Sequence, residues 1–148
     1  MNYVIQEGGI RGQVGISIGA DVQVWPSGSA GSTISPTNNW TAGDVQFTKG
    51  ANQLVMWPIF TYGPSTTACK IKVDFSYTES GPWFQEPSYT EVANGTKTYV
   101  ATTRILPSGV NTTMSVPFIS DYFRVSALVT GDASGSLLGI IGTIASAL

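Results

Sequence analysis

Residues that usually carry chemistry are scarce in this 148-residue chain. It has no histidine, which removes the ordinary general base at neutral pH, the commonest metal ligand and every Ser–His or Cys–His couple. Cys69 is the single cysteine, so the chain can build neither an internal disulfide nor a thiolate metal cluster. Carboxylates are what remain. Glu79, Glu86 and Glu91 lie around the aromatic turn "ESGPWFQEP". Two carboxylates flanking a sugar are the minimum for glycoside hydrolysis, but nothing else in the sequence marks a cleft. Asp121 and Arg124 suit a surface ion pair at a strand start, worth about 0–1 kcal/mol. There is no Asp-x-Asp-x-Asp-Gly calcium loop. The glycine-rich "GGIRGQVG" (Gly8 to Gly15) lacks the Lys-Ser/Thr ending and the following helix of a phosphate-cradling loop. No catalytic residue, metal or cofactor is therefore expected, and the protein is expected not to be an enzyme.

The four tryptophans are the other candidates. Rings that stack on sugars must be exposed. Trp57 falls in mid-strand and is expected in the core. Trp83, delivered by the turn after "CKIKVDFSYT", is expected to fold back as a lid on the core, its indole N–H donating to a turn carbonyl. Trp25 and Trp40 flank the Ser/Gly/Pro-rich stretch Pro26 to Asn39 and are divided between core edge and partner contact. Asn39-Trp40-Thr41, Asn94-Gly95-Thr96 and Asn111-Thr112-Thr113 match a glycosylation acceptor pattern, and all three are read as turns.

Alternation supplies the elements that position these residues. In Cys69–Tyr77, Cys69, Ile71, Val73, Phe75 and Tyr77 share one parity, while Lys70, Lys72, Asp74 and Ser76 share the other. Side chains alternate across a strand, so the first set faces a core and the second faces water. The same pattern predicts strands in "ADVQVW", "DVQFTKG", "NQLVMWPIFTY", "TKTYVATTRI" and "TTMSVPFI", the last two joined around Pro107-Ser108-Gly109. Pro58 should sit on an edge or at a bulge. In "YFRVSALVT", Phe123, Val125, Ala127 and Val129 point inward, with Arg124 and Ser126 outward. The closing "SLLGIIGTIA" is apolar on both parities, which predicts cover on both faces. About eight short strands with Gly/Pro turns predict an all-β fold, an antiparallel β-sandwich or barrel, the sandwich being preferred.

Only 11% of residues are charged, against about 25% in ordinary soluble domains. The net charge of −2 is too weak and dispersed to steer a nucleic acid. Such a surface suits a protein destined for an assembly. The tail "ASGSLLGIIGTIASAL" is too short and too interrupted by glycine to span a membrane as a helix, and a terminal strand is expected instead. The opening "MNYVIQEGGIRG" lacks the basic region and apolar run of a secretory signal, so synthesis in a cytoplasm, or removal of a leader, is expected. Cys69 is expected to be an inert core thiol.

Three stretches carry a resemblance: "IKVDFSYTESGPWFQEP", a strand entering a Ser-x-x-x-x-Gly-x-Trp turn; "SVPFISDYFRVSALVTG"; and the Gly-spaced "GSLLGIIGTIA". Together they span about Cys69 to Ala145, and they resemble the jelly-roll-like β-sandwich proteins that decorate heads of tailed bacteriophages, the cement or auxiliary capsid proteins. The resemblance implies a virion protein on the capsid surface, made in the host cytoplasm. Its partners would be the major capsid protein and copies of itself, a trimer being one such assembly, with no nucleic acid and no membrane. It also implies an arm and loop over residues 1–40, able to contribute a strand, ahead of a sandwich at 41–148. An arm that orders on docking can offset its lost entropy with the area it covers. Contacts are expected at Tyr3, Val4, Ile5 and Arg11, and at Trp25 and Trp40. The alternatives are a carbohydrate-binding sandwich, on a tail tip or secreted, and a tail or neck component.

Overall fold

The computed structural model describes residues 16–91, 95, 97–106 and 112–147. Twelve strands run in the order β1 (Ile16–Trp25), β2 (Thr41–Ala42), β3 (Gln46–Phe47), β4 (Gln53–Thr61), β5 (Thr66–Ser76), β6 (Phe84–Gln85), β7 (Pro87–Glu91), β8 (Lys97–Ala101), β9 (Arg104–Leu106), β10 (Met114–Pro117), β11 (Tyr122–Gly131) and β12 (Leu137–Ala147). All their pairings are antiparallel. One sheet has the order β1-β12-β4-β10. The other has β2-β11-β5-β6, with β3 also on β11 and β9 also on β5. Strands β7 and β8 form a separate ribbon. The chain is thus an all-β antiparallel sandwich, and its C-terminal apolar stretch is a strand. No helix among the described residues is long and apolar enough to cross a membrane.

The core is where the two sheets meet. The first contributes Val24, Leu54, Met56, Val116, Leu138, Ile140 and Ile144; the second contributes Cys69, Ile71, Val73, Phe75, Phe123, Val125, Ala127 and Val129. The long β5–β11 register places Phe123 opposite Phe75, Val125 opposite Val73 and Ala127 opposite Ile71, so one parity of each strand is interior. Each such side chain contributes about 1.5–3 kcal/mol by leaving water. Phe118 packs between Phe75 and Phe123, with ring centroids 6.5 and 4.9 Å away. Gly142 lies on the inward parity of β12, where a Cβ would meet Val24 at 2.7 Å and Leu54 at 2.9 Å. Glycine is what lets those neighbours close over the strand.

Several expectations need correcting. Trp57 is not core: Leu54, Met56 and Pro58 take the inward parity of β4, which turns Trp57 outward. Trp25 is not a contact residue: it is 1% exposed, with its Nε1 donating to the Thr41 carbonyl at 2.8 Å. A register shift between Gln23 and Trp25 breaks the alternation and lets Val24 and Trp25 both go inward. Tyr77 lies just past the end of β5 and is exposed. Asp74, Ser76 and Ser126 sit on the parity assigned to water yet are buried, for a reason given below. Arg124 pairs with Asp74 across the β5–β11 ladder, not with Asp121.

Pro58 sits where an edge was expected. Strand β10 begins at Met114, opposite Met56, so Pro58 has β12 on one side and no strand among the described residues on the other. The missing N–H costs no ladder bond on that open side. Strands β9 and β10 do not form a hairpin; β9 joins β5 and β10 joins β4, so the chain changes sheets between them. The turn at Pro107-Ser108-Gly109 lies outside the described residues. Strand β1 lies in the same sheet as β12 and β4, and the Ser/Gly/Pro-rich stretch after it is tied down. Ile34 exchanges backbone hydrogen bonds with Leu138, taking the place β1 leaves beside β12. Gln23 reaches up to this loop, donating to the Ser32 carbonyl at 3.0 Å and accepting from Gly31 N at 2.9 Å.

Candidate functional site

The two sheets treat their outer faces differently, and this decides where function can lie. On the outer face of the β11–β5 sheet, tryptophans from two loops lie across the strands. Lys72 Nζ stands 4.9 Å from the centre of the Trp40 ring, and the Arg124 guanidinium 4.5 Å from that of Trp83. Arg124 Nε also reaches Asp74 Oδ2 at 3.3 Å. The turn that delivers Trp83 is closed by Thr78 Oγ1 donating to the Gly81 carbonyl. Gly81 has φ +97°, and a Cβ there would sit 3.0 Å from the indole, so this turn requires glycine. Trp83 is indeed a lid, but on the outer face and not on the core. Arg124, held under Trp83, reaches over to Asp74, and Ser126 lies between Lys72, which is under Trp40, and Ala42 in the ladder. Each cation–ring contact contributes about 0.5–1 kcal/mol where water still reaches it. Trp40, expected to touch a partner or a sugar, is occupied by Lys72 and only 38% exposed.

The β7–β8 ribbon is the first surface left open. Thr98, Tyr99, Val100 and Ala101 are all exposed, on both parities, so the described part of β8 has neither face covered by the sandwich. Tyr99 is 71% and Val100 47% exposed. Phe84 and Ile105, beside the ribbon's foot on β6 and β9, are exposed as well. The foot itself is rigidly held. Glu86 is buried and takes both guanidinium arms of Arg104, with Nη2 at 2.8 Å from Oε2. Glu86 N donates to Val73 O, Thr102 N to Glu86 O, and Gln85 Nε2 to Thr102 O, at 2.8, 2.8 and 2.6 Å. A two-stranded ribbon is marginal alone in water; the Glu86–Val73 bond ties it directly to β5, Arg104 ties Glu86 to β9, which pairs with β5, and the Thr102 bonds join the two arms of the foot.

The second open surface is the outer face of the β12–β4 sheet. The loop through Gly31–Thr33 covers its β1 side, so the cover expected over the last strand exists but stops short of β4. Leu137, Ile59 and Trp57 remain exposed, Ile59 at 58% and Trp57 at 48%. Trp57 is held in one orientation: its Nε1 donates to Thr143 Oγ1 at 3.0 Å, and Thr143 donates to Asp21 Oδ1 at 2.6 Å. Beside it is a cavity of about 320 Å³ lined by Trp57, Pro58, Ile59, Thr112 and Thr113.

Of the three suspected carboxylates, two have described side chains. Glu86 is engaged by Arg104, Glu79 is exposed in the turn, and the Glu91 side chain lies outside the described residues. Among the described residues no three of His, Cys, Asp and Glu gather as a metal site. Cys69 is buried, and burial pushes its thiol pKa up to about 12, which leaves almost no nucleophilic thiolate at neutral pH. Tyr3, Val4, Ile5 and Arg11 lie outside the described residues, as do Asn94 and Asn111, whereas Asn39 is an exposed turn residue. Sequence reasoning did not single out Tyr99 and Val100, and it placed Trp57 in the core; all three are exposed. Pro58 carried the missing signal for Trp57, since an inward proline turns its neighbour out. No protein-family model matches the chain, and the searches of curated proteins and of solved structures returned no match.

Proposed function

We propose that this protein is a virion component, a decoration or cement subunit on the head of a tailed phage, that works through area pressed against protein neighbours. The observation that carries the proposal is the β7–β8 ribbon, clamped at its foot and open along β8, with Tyr99 and Val100 outward and Phe84 and Ile105 beside it. Amphipathic aromatic and aliphatic groups on a pre-ordered element suit a contact that must be made many times over a shell, because little entropy remains to be lost on docking. The resemblance of Cys69–Ala145 to decoration proteins supplies the setting. The major capsid protein and further copies of this chain are the partners it would reach.

The test adds purified protein to phage shells that lack it, followed by sedimentation and a heat challenge. Co-sedimentation with a gain in heat resistance is expected. Tyr99→Ser/Val100→Ser should abolish both while a cooperative urea melt still reports a folded sandwich, since neither side chain helps to form the core. Failure of the unmodified protein to sediment with shells refutes the proposal. Mass spectrometry of virions separates it from a tail or neck role: a shell subunit is present in hundreds of copies, in proportion to the many capsid positions, and a tail component in only a few.

A further inference from the structure

We infer that the Trp57 cavity is a binding site for an uncharged pyranose sugar, with the Trp57 indole as stacking platform and Asp21 and Thr143 as the residues that position it. Three observations lead there. The cavity, about 320 Å³, falls at the lower end of the range for small-ligand sites, roughly 300–1,000 Å³. Its walls combine an indole, a proline and an isoleucine with the threonines at 112 and 113, so apolar surface and hydroxyl-bearing residues share the lining. None of the five lining residues is charged. An ionic ligand would find no counter-charge among them, whereas a sugar ring presents C–H groups on one face and hydroxyls around its edge.

The hydrogen-bonded line across the sheet is the most specific sign. Asp21 on β1, Thr143 on β12 and Trp57 on β4 are joined in sequence, Trp57 donating to Thr143 and Thr143 to Asp21. The line fixes the rotamer of an indole that is 48% exposed. It spends the indole's only N–H on the protein, so what remains for a ligand is the ring surface. That suits stacking and not hydrogen bonding. On the opposite sheet, by contrast, Trp40 and Trp83 have their rings occupied by Lys72 and Arg124. No cation contacts the Trp57 ring among the described residues.

The site is independent of the ribbon, and one experiment keeps the two proposals apart. The indole N–H resonances of the full chain are followed by NMR while glucose, galactose, N-acetylglucosamine and glucuronate are added separately, up to ~50 mM, above the millimolar Kd of a single weak contact. Trp57→Phe identifies the Trp57 signal. The buried Trp25 indole, bonded to the Thr41 carbonyl, reports that each variant is folded. The expected result is a saturable shift of the Trp57 signal with at least one neutral sugar, a weaker response to glucuronate and no shift of Trp25. Trp57→Ala, which lacks that signal and is followed by saturation transfer from protein to sugar protons, should weaken binding on the order of tenfold or more. Thr143→Val should weaken it several-fold while the ring remains present, because the indole loses its fixed orientation. Tyr99→Ser/Val100→Ser should leave the sugar response intact, and Trp57→Ala should leave shell binding intact. Absence of a Trp57 shift with every neutral sugar overturns the inference, as does a stronger response to glucuronate or unchanged affinity in Thr143→Val.

Discussion

Replacing Arg104 with methionine isolates the interaction that holds the ribbon to the sandwich. The methionine keeps most of the arginine's apolar stem and removes both guanidinium donors from a carboxylate that is 5% exposed. Breaking a fully buried pair costs about 3–5 kcal/mol, because the remaining charge is left without compensation. The Arg104 side chain is 21% exposed, so water can partly replace it, and about 2–3 kcal/mol is the better expectation. Glu86→Gln leaves a hydrogen-bonding side chain under the arginine and should cost less, about 1–2 kcal/mol. The double variant carries neither charge and should be less damaged than the two single losses added together, with a coupling of about 1–3 kcal/mol. Urea unfolding followed by tryptophan fluorescence gives the global term. Amide exchange at Thr102, whose N–H donates to Glu86 O, gives the local one. Protection at Thr102 should fall in Arg104→Met well before it falls at Val125, in the central strand. Two outcomes would refute this account of the foot: additive losses in the double variant, or an Arg104→Met protein that loses under ~0.5 kcal/mol and keeps its Thr102 protection.

Three further outcomes follow from the same geometry. Phe75→Ala removes a 1%-exposed ring packed on Phe118 and should cost about 3–5 kcal/mol in a urea melt; a loss under ~1 kcal/mol contradicts its inward placement. Gly43→Ala drives a Cβ into the Val24 carbonyl, which is backbone and cannot rotate away, so the melt should register a loss of about 1–3 kcal/mol or more from overpacking. Cys69 should resist iodoacetamide at pH 8 until urea unfolds the chain. Its thiol pKa is raised from 9.0 to about 12 by burial, so the folded state keeps a proton that the unfolded state releases. The contribution is therefore fully present below pH 9 and is lost as pH rises from 9 towards 12, which a series of melts across that window reads directly.

How much of this was legible in the sequence depended on whether a residue's neighbours lay along its own strand. Alternation in Phe123–Val129 and Cys69–Tyr77 named the core of one sheet and missed only at Tyr77, past the end of β5, because period-2 patterning is a property of a single strand. It failed where something outside the strand intervened. A register shift, invisible in "ADVQVW", sent Trp25 inward beside Val24. Two tryptophans from distant loops lie over the cations beside Asp74 and Ser126, which were expected to be wet. The missing cover over Ile59 and Trp57 is likewise a matter of where a loop ends, and no local pattern encodes that. The ribbon was hidden for another reason. "TKTYVATTRI" reads as one continuous strand, yet Thr102 and Thr103 divide it into a part that leaves the sandwich and a part that pairs with β5.

The unequal treatment of the four tryptophans is an argument about function in its own right. Trp25 is buried with its N–H bonded, and Trp40 and Trp83 lie under cations, so the sequence supplies each of these rings with a partner that lowers the cost of holding it. Trp57 alone receives a partner for its N–H and none for its face among the described residues. Exposed indole surface is disfavoured in water by about 25 cal/mol per Å², and the alternation that sends Leu54, Met56 and Pro58 inward leaves the ring outside. The Asp21–Thr143 line then fixes its orientation, at a cost in side-chain entropy across three strands. A fold that needed only stability would gain nothing from that line. It becomes useful when something else covers the ring, and Asp21→Ala, which removes the acceptor of the Thr143 hydroxyl, therefore discriminates. It should barely change the melt of the isolated protein, by under ~0.5 kcal/mol for an exposed hydrogen bond, while broadening the Trp57 indole signal and weakening sugar binding. An Asp21→Ala protein that is clearly destabilised yet keeps its affinity would make the line a structural brace and remove the reason to assign a ligand to that face.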